Sequence, residues 1–167
     1  MSFYRCLVLL VATLSLSVSV YGYRDYSVVG QGNMRWFMIN LYEARLLSED
    51  GRYLPNQRPV ALEISYKKRI RKSSLIGATK SEWQRMSVVY SPDWLAGLNA
   101  FWPDVDNGDV LTLHVDSDGV SVFYFNQKQI GTINDQDFSQ AFLSIWLSDK
   151  SSNQRLRNKL LGKSSGN

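Results

Sequence analysis

Apolar and polar residues follow two different periods along this 167-residue chain. Alternation at every second position is typical of half-buried strands, whereas apolar residues three or four apart predict one face of a helix. The strand-like segments are Tyr26 to Gln31, Met34 to Leu47, Val60 to Tyr66, Asp109 to Asp116, Val120 to Phe125 and Gln129 to Ile133. The helix-like segments are Ser73 to Met86, Pro92 to Phe101, the stretch after Asp135, and the stretch between Ser151 and Gly162.

The ends of these segments have residues that favour helix caps and turns. Ser151 and Gln154 have the spacing of a capping box, which predicts the start of the last helix. The other predicted boundaries are Ser91 and Asp135 as N-caps, Pro92 at a first helical position, Gly162 at a helix end and Asp118-Gly119 in a tight turn.

The order of the elements indicates the fold class. Strands come first, then helices, then strands and helices again, without the regular strand–helix alternation of parallel sheets. This order predicts an α+β protein with an antiparallel sheet and helices on one face. No repeat or linker divides the chain, so we expect one domain over residues 23–162 and a frayed tail over 163–167.

The first residues have the three-part layout of a secretory signal peptide. Arg5 gives a positive start, an apolar run extends from Leu7 to Val20, and Gly22 stands near a cleavage site. At about 14 residues, the run is shorter than the roughly 20 needed to cross a bilayer, although a retained anchor is the alternative. We expect residues 1–22 to be removed. The mature chain, with no transmembrane segment, would then be periplasmic or secreted.

Cysteine and charge narrow the chemistry. Cys6 is the sole cysteine, so removal of the signal peptide excludes disulfides and thiolate nucleophiles in the mature chain. The formal net charge is +4, with basic residues clustered in 67–72 and 155–163. Such clusters are solvated surface, or they contact anionic lipid headgroups or a ligand carboxylate. Export, and the lack of a recognition motif, disfavour nucleic acid as a partner.

Motifs for metals and cofactors are weak. His114 is the one histidine, and its place in an apolar strand favours a structural role. The aspartates between 104 and 109 resemble a calcium loop, but Val115 stands where such a loop needs a bidentate glutamate. We expect neither a metal nor a cofactor.

Aromatic and basic residues on the predicted sheet are candidates for a ligand site. Arg35, Trp36 and Tyr42 lie on the long strand, and Tyr66 lies on the next one. On one continuous strand, Trp36 and Tyr42 would point to the same face and Arg35 to the other. Core packing and surface charge account for such residues. The alternative is a pocket with apolar walls and one or two polar groups for an amphipathic ligand.

Eight short segments, spread in order over nearly the whole mature chain, share one pattern: Gly30 to Phe37, Leu41 to Leu46, Ala61 to Tyr66, Phe101 to Val105, Gly108 to Leu113, Phe123 to Asn126, Ala141 to Leu147 and Leu156 to Gly162. Together they resemble the bacterial branch of the chalcone isomerase-like family. The resemblance implies an open-faced β-sandwich, in which a large curved antiparallel sheet is covered on one face by helices. The ligand would lie between them. Plant members cyclise chalcones, and other members bind fatty acids without known catalysis.

The resemblance also assigns roles to single positions. Tyr42 stands where the plant enzymes have a cleft threonine and many relatives a tyrosine. The anion-binding arginine of the plant enzymes falls in the interval that here holds Gly30 to Gly32, and the nearest basic residue is Arg35. The catalytic tyrosine of the plant enzymes has no clear counterpart among residues 71–75.

From the resemblance we expect a periplasmic, non-catalytic binding or carrier protein for a fatty acid or similar amphipathic anion. Arg35, or Tyr42 with Arg69, would hold the head group, and apolar residues would hold the chain. Two alternatives stay open. One is an intramolecular lyase or isomerase of the chalcone isomerase type, and the other is an envelope accessory protein without a ligand.

Overall fold

The computed structural model of the protein describes residues 22–163. The elements are β1 Ser27–Trp36, β2 Ile39–Ser48, β3 Val60–Tyr66, α1 Lys72–Arg85, α2 Pro92–Phe101, β4 Val110–Val115, β5 Ser121–Phe125, β6 Lys128–Ile133, α3 Gln136–Leu147 and α4 Gln154–Leu160. The predicted signal peptide up to residue 21 and the tail from residue 164 lie outside the described residues. Between residues 22 and 163, no helix combines the length and the apolar character that a membrane span requires.

The six strands form one sheet, in which each strand pairs antiparallel with the next along the chain. Successive strands are therefore neighbours, and α1 and α2 occupy the connection between β3 and β4. Alternate residues of the central strands, such as Leu62 and Leu113, pack with helix residues such as Trp83 and Phe138 in one large apolar cluster. The α+β class and the open-faced sandwich are confirmed.

A smaller apolar cluster lies on the opposite face of the sheet. Ala61 and Leu47 alternate with the residues that face the helices, and they pack there with Tyr23 and Tyr124. His114 is buried on this face, and its Nε2 lies 3.2 Å from the hydroxyl of Tyr26. Burial lowers the pKa of His114, and the charge of Asp116 opposes this shift. The N-terminal turn therefore covers part of the open face.

The predicted long strand from Met34 to Leu47 is wrong, because the chain turns back within it. β1 ends at Trp36 and β2 begins at Ile39, with Phe37 in the left-handed region at a φ of 53°. The turn has none of the glycine, proline or asparagine residues that mark most hairpins, and apolar residues continue through it. Trp36 and Tyr42 lie on two different strands, so the alternation of one continuous strand does not place them on the same face.

The helix ends follow the predicted caps with one exception. Ser91 accepts a hydrogen bond from the N–H of Asp93, and Asp135 accepts one from the N–H of Asp137. The predicted capping box at Ser151 is wrong, since the cap of α4 is Asn153, which accepts from the N–H of Leu156 at 2.9 Å. An Asn at this position caps as well as Ser, so spacing does not distinguish the two starts.

Candidate ligand cavity

A cavity of about 520 Å³ lies between the helices and the end of the sheet at the β1–β2 hairpin. Its sheet side is formed by β1 to β4, and its helix side by α1, α3 and the start of α4. The apolar lining residues are Met34, Leu41, Ile64, Ile70, Leu75, Leu111, Phe142, Ile145 and Leu156, with Trp102 and Trp146. Its volume falls within the usual range for small-molecule sites.

Small side chains on α1 leave this space open. Ser74, Ala78 and Ser81 line the cavity, and further along the helix Trp83 is fully buried in the core. Trp83 fixes that end of α1 through a hydrogen bond of 2.8 Å from its Nε1 to the carbonyl of Ala141 on α3. In the N-terminal half of α1, Leu75 lines the cavity among small side chains, which leave a gap over the sheet in contrast to the close packing of a normal core.

Two tyrosines place hydroxyl groups in the cavity wall. Tyr42 and Tyr66 face each other across β2 and β3, with ring centroids 6.0 Å apart in an edge-on contact. The hydroxyl oxygen of Tyr42 accepts a hydrogen bond of 3.0 Å from Nε1 of Trp146. No acceptor for either hydroxyl hydrogen occurs within residues 22–163. Each tyrosine can therefore donate a hydrogen bond to a ligand.

Burial keeps both phenols neutral. It raises the pKa of Tyr42 to about 12, with a smaller rise from the charge of Glu82 and an opposing effect of the Trp146 hydrogen bond. Burial also raises the pKa of Tyr66, and the neighbouring Tyr42 adds to that rise. Neither tyrosine is an anion near neutral pH, so they serve as hydrogen-bond donors rather than as bases.

Trp102 also lines the cavity, but its indole nitrogen is buried within the wall. The residue is 5% exposed and its Nε1 has no hydrogen-bond partner among residues 22–163. A buried donor without a partner costs about 1–3 kcal/mol, so such groups are uncommon in folded proteins. Asn153 adds an amide at the side where α4 begins.

The cavity lining is nearly uncharged. Within the described part of the chain, Glu82 is its only ionisable residue besides the tyrosines, and Arg85 pairs with that carboxylate at 2.7 Å. Basic residues lie just outside it, because the exposed Arg69 and Arg71 flank the lining residue Ile70. A ligand carboxylate inside the cavity would have no cation beside it.

The predicted site residues fall into two groups. Tyr42 and Tyr66 line the cavity, whereas Arg35, Trp36 and Arg69 do not. Arg35 and Trp36 lie at the exposed end of the β1–β2 hairpin, and Arg69 lies in the exposed segment between β3 and α1. Several lining residues were not predicted from the sequence, namely Trp102, Trp146, Asn153, Ser74 and Thr79. Phe142 and Trp146 are four residues apart, which is typical of one inward face of a helix, but such spacing does not indicate a cavity.

A second hollow of about 360 Å³ lies between residues 53–58, α3 and the end of α4. Two of its three basic residues, the arginines, already form hydrogen bonds within the protein. Arg58 donates to the hydroxyl of Ser139 at 3.2 Å, and Arg157 donates to the carbonyl of Leu147 at 2.9 Å. This hollow is smaller and lies apart from the two tyrosines, so the larger cavity is the better candidate site.

The sequence pattern of chalcone isomerase-like proteins matches residues 19–162. The chain belongs to the chalcone isomerase-like family. A relative from Haemophilus influenzae, described as an uncharacterized protein, is 29% identical to this chalcone isomerase-like protein over 147 residues, which cover 87% of this chain and 72% of the relative.

The crystal structure of an Arabidopsis thaliana fatty-acid binding protein is similar to this chalcone isomerase-like domain. The TM-score is 0.65 at 11% sequence identity, and the match covers 83% of this chain and 88% of that one. At this identity the comparison shows a shared fold.

The glycines of β1 explain why this family member has no arginine where the resemblance places one. A Cβ atom at Gly30 would collide with the backbone carbonyls of Lys159 and Leu160 on α4. A Cβ atom at Gly32 would lie 2.9 Å from Cδ1 of Leu156. Helix α4 packs directly on this part of β1, so a long side chain there would require the helix to move.

Proposed function

We propose that this protein is a non-catalytic binding protein for a fatty acid or a similar single-chain amphipathic molecule, and that it works in the periplasm or outside the cell. The observation that carries the proposal is the cavity between the sheet and the helices, with apolar walls and a few neutral hydrogen-bond donors. The name of the Arabidopsis thaliana protein with the same fold supports the same class of ligand. Export rests on the signal-peptide layout of residues 1–22.

The apolar walls favour the acyl chain as the buried part of the ligand. Each methylene removed from water contributes about 0.8 kcal/mol, which corresponds to about a fourfold gain in affinity. Affinity should therefore rise with chain length until the cavity is full. A chain that is too long would leave methylenes in water, and the gain would stop.

The head group is best placed at the rim. A carboxylate buried beside uncharged walls loses its hydration without gaining a cation, and this costs several kcal/mol. At the rim, the carboxylate stays in water close to Arg69 and Arg71, which flank the lining residue Ile70. Tyr42 and Tyr66 would then donate to any neutral oxygen that enters the cavity.

The chemistry of the wall favours binding over cyclisation. An isomerase of the chalcone type would use a tyrosine of lowered pKa beside an arginine that anchors a phenolate. Here burial raises the pKa of both Tyr42 and Tyr66. The proposal therefore assigns the tyrosines to ligand binding.

The test is native mass spectrometry with lipid extraction on protein isolated from its own envelope, followed by titration with fatty acids of increasing chain length. We expect a stoichiometric lipid. We also expect Tyr42→Phe to weaken binding of a hydroxy fatty acid, whose neutral oxygen enters the cavity, about threefold to tenfold, the value of one lost hydrogen bond, and to leave binding of an unsubstituted fatty acid unchanged. Tyr53→Phe is the matched control, since Tyr53 lines the second hollow instead. An empty protein that takes up none of the added fatty acids would overturn the proposal.

A further inference from the structure

The tip of the β1–β2 hairpin exposes four consecutive apolar side chains. Trp36 is 62% exposed, Phe37 84%, Met38 96% and Ile39 45%. Among residues 22–163, the other large apolar residues with such exposure are single and scattered, at Val28, Leu54 and Val89. Isolated exposed apolar residues are normal on a protein surface, but a contiguous group at a projecting tip marks an interaction site.

Basic residues lie beside this tip. The N–H of Lys67 donates a hydrogen bond of 2.9 Å to the carbonyl of Leu41, so the segment 67–71 begins next to the base of the hairpin. Lys67, Lys68 and Arg69 are exposed, as is Arg35 on the hairpin. None of these four forms an ion pair within the described residues. Their charge is therefore available to a partner.

Three aspartates near this segment accept hydrogen bonds from the protein itself. Asp104 accepts a hydrogen bond from the N–H of Lys72, and Asp106 accepts one from the N–H of Asn107. Asp109 accepts from the N–H of Asp106 and from the side chain of Asn126. These carboxylates hold the turn before β4 and leave the lysines of segment 67–71 unpaired.

The same hairpin forms part of the cavity wall. Met34 and Leu41 line the cavity, and they stand on the two strands just below the exposed tip. On the neighbouring segment, Ile70 lines the cavity while Arg69 points its charge to solvent. The apolar tip, the basic segment and the cavity therefore lie together at one end of the sheet.

We propose that this end of the protein docks on an anionic phospholipid membrane, with the hairpin tip inserted at the interface and the basic segment 67–71 against the headgroups. Tryptophan and other apolar side chains favour the boundary between headgroups and acyl chains, and lysines near an anionic leaflet add electrostatic attraction. Docking in this way brings the cavity end to the bilayer. The proposal concerns a surface rather than the cavity, and it stands whether or not the cavity holds a fatty acid.

Vesicle flotation tests the electrostatic and apolar contributions together. The probe is phosphatidylcholine vesicles with about 30 mol% phosphatidylglycerol, compared with phosphatidylcholine alone. We expect binding to the anionic vesicles that weakens with added salt. Phe37→Asp with Met38→Asp should reduce the partition coefficient at least about tenfold, and Lys67→Glu with Lys68→Glu should do the same.

Matched variants separate this surface from general effects of polarity and charge. Leu54→Asp with Val89→Asp changes two exposed apolar residues away from the hairpin, and Lys128→Glu with Lys150→Glu changes two exposed lysines elsewhere. Both control pairs should retain most of the binding. Equal losses in the control and hairpin variants would overturn the proposal.

Fluorescence quenching shows whether the hairpin tip itself enters the bilayer. Flotation measures binding of the whole chain, including any contribution from the apolar run near the N-terminus. Trp83, Trp94 and Trp102 are buried and Trp146 is half-buried, so Trp36 is the most exposed tryptophan in the part of the chain described. Phospholipids with brominated acyl chains should quench the fluorescence of Trp36. The Trp36→Phe variant should lack this quenched component. Unquenched Trp36 on bound vesicles, or a stable dimer or protein complex that covers the tip in place of lipid, would overturn membrane docking.

Discussion

At the scale of single residues, the buried phenols of Tyr42 and Tyr66 make the stability of the folded protein depend on pH in the alkaline range. In an unfolded chain, both would titrate near 10. In the folded protein, burial raises the pKa of Tyr42 to about 12 and raises that of Tyr66 as well. Above about pH 10, the tyrosines of the unfolded chain lose their protons while those of the folded protein keep them, and this favours unfolding. The stability that the neutral phenols contribute is therefore complete below about pH 10 and is lost as the pH rises toward the pKa values of the folded state.

We therefore predict that the free energy of unfolding falls above about pH 10 by up to about 1.4 kcal/mol per pH unit for each buried phenol. In Tyr42→Phe one of the two groups is gone, so the fall should be shallower. Urea unfolding at a series of pH values from neutral to about 12 measures the slope. A slope that stays the same in Tyr42→Phe would show that this phenol titrates freely in the folded state.

At the scale of elements, the contact between α4 and β1 depends on a glycine. We predict that Gly30→Ala destabilises the protein by about 1–3 kcal/mol, as overpacking of a tight contact does. The physical reason is that the added methyl group would lie 2.6 Å from the carbonyl oxygen of Leu160. The expected loss would appear as a lower urea midpoint with an unchanged m-value.

Gly77→Ala is the matched control for this element. A Cβ atom at Gly77 meets nothing within 4 Å, and the residue lies inside α1. Because alanine favours a helix over glycine by about 1 kcal/mol, this variant should be more stable than the wild type. If both glycine variants shift stability in the same direction, the packing explanation for Gly30 does not hold.

Local patterns predicted most elements and missed one turn. β3, β4 and β5 alternate between core and open face, and α3 begins at the predicted cap Asp135. The hairpin at Phe37 was missed because its turn is made of apolar residues that read as a continuing strand. Only pairing between β1 and β2, over partners such as Ser27 and Ser48, shows the reversal. Pairing of this kind is a long-range property that local periodicity does not contain.

At the scale of the whole molecule, the cavity was predictable only through the family resemblance. Tyr42 and Tyr66 were recognised as candidates from their strands, and the structure brings them together as a cross-strand pair. The space beside them results from small residues on α1 that read as an ordinary helix. The size of a void depends on how side chains from several separate elements pack together, so no single segment of sequence indicates it.

Because the proposed ligand binds only the folded state, it should stabilise the whole domain. At a free concentration of 100 times Kd, the gain is about 2.7 kcal/mol, enough to raise Tm by several degrees. We predict that delipidated protein melts at a lower temperature than the protein as isolated, and that a long-chain fatty acid restores the difference. Butyrate is the control, since its short chain buries too little apolar surface to bind. Equal melting temperatures with and without long-chain acid, in scanning calorimetry at saturating concentration, would mean that the cavity does not hold this ligand. In that case, the apolar tip and basic segment would be the surface left to explain what the protein binds.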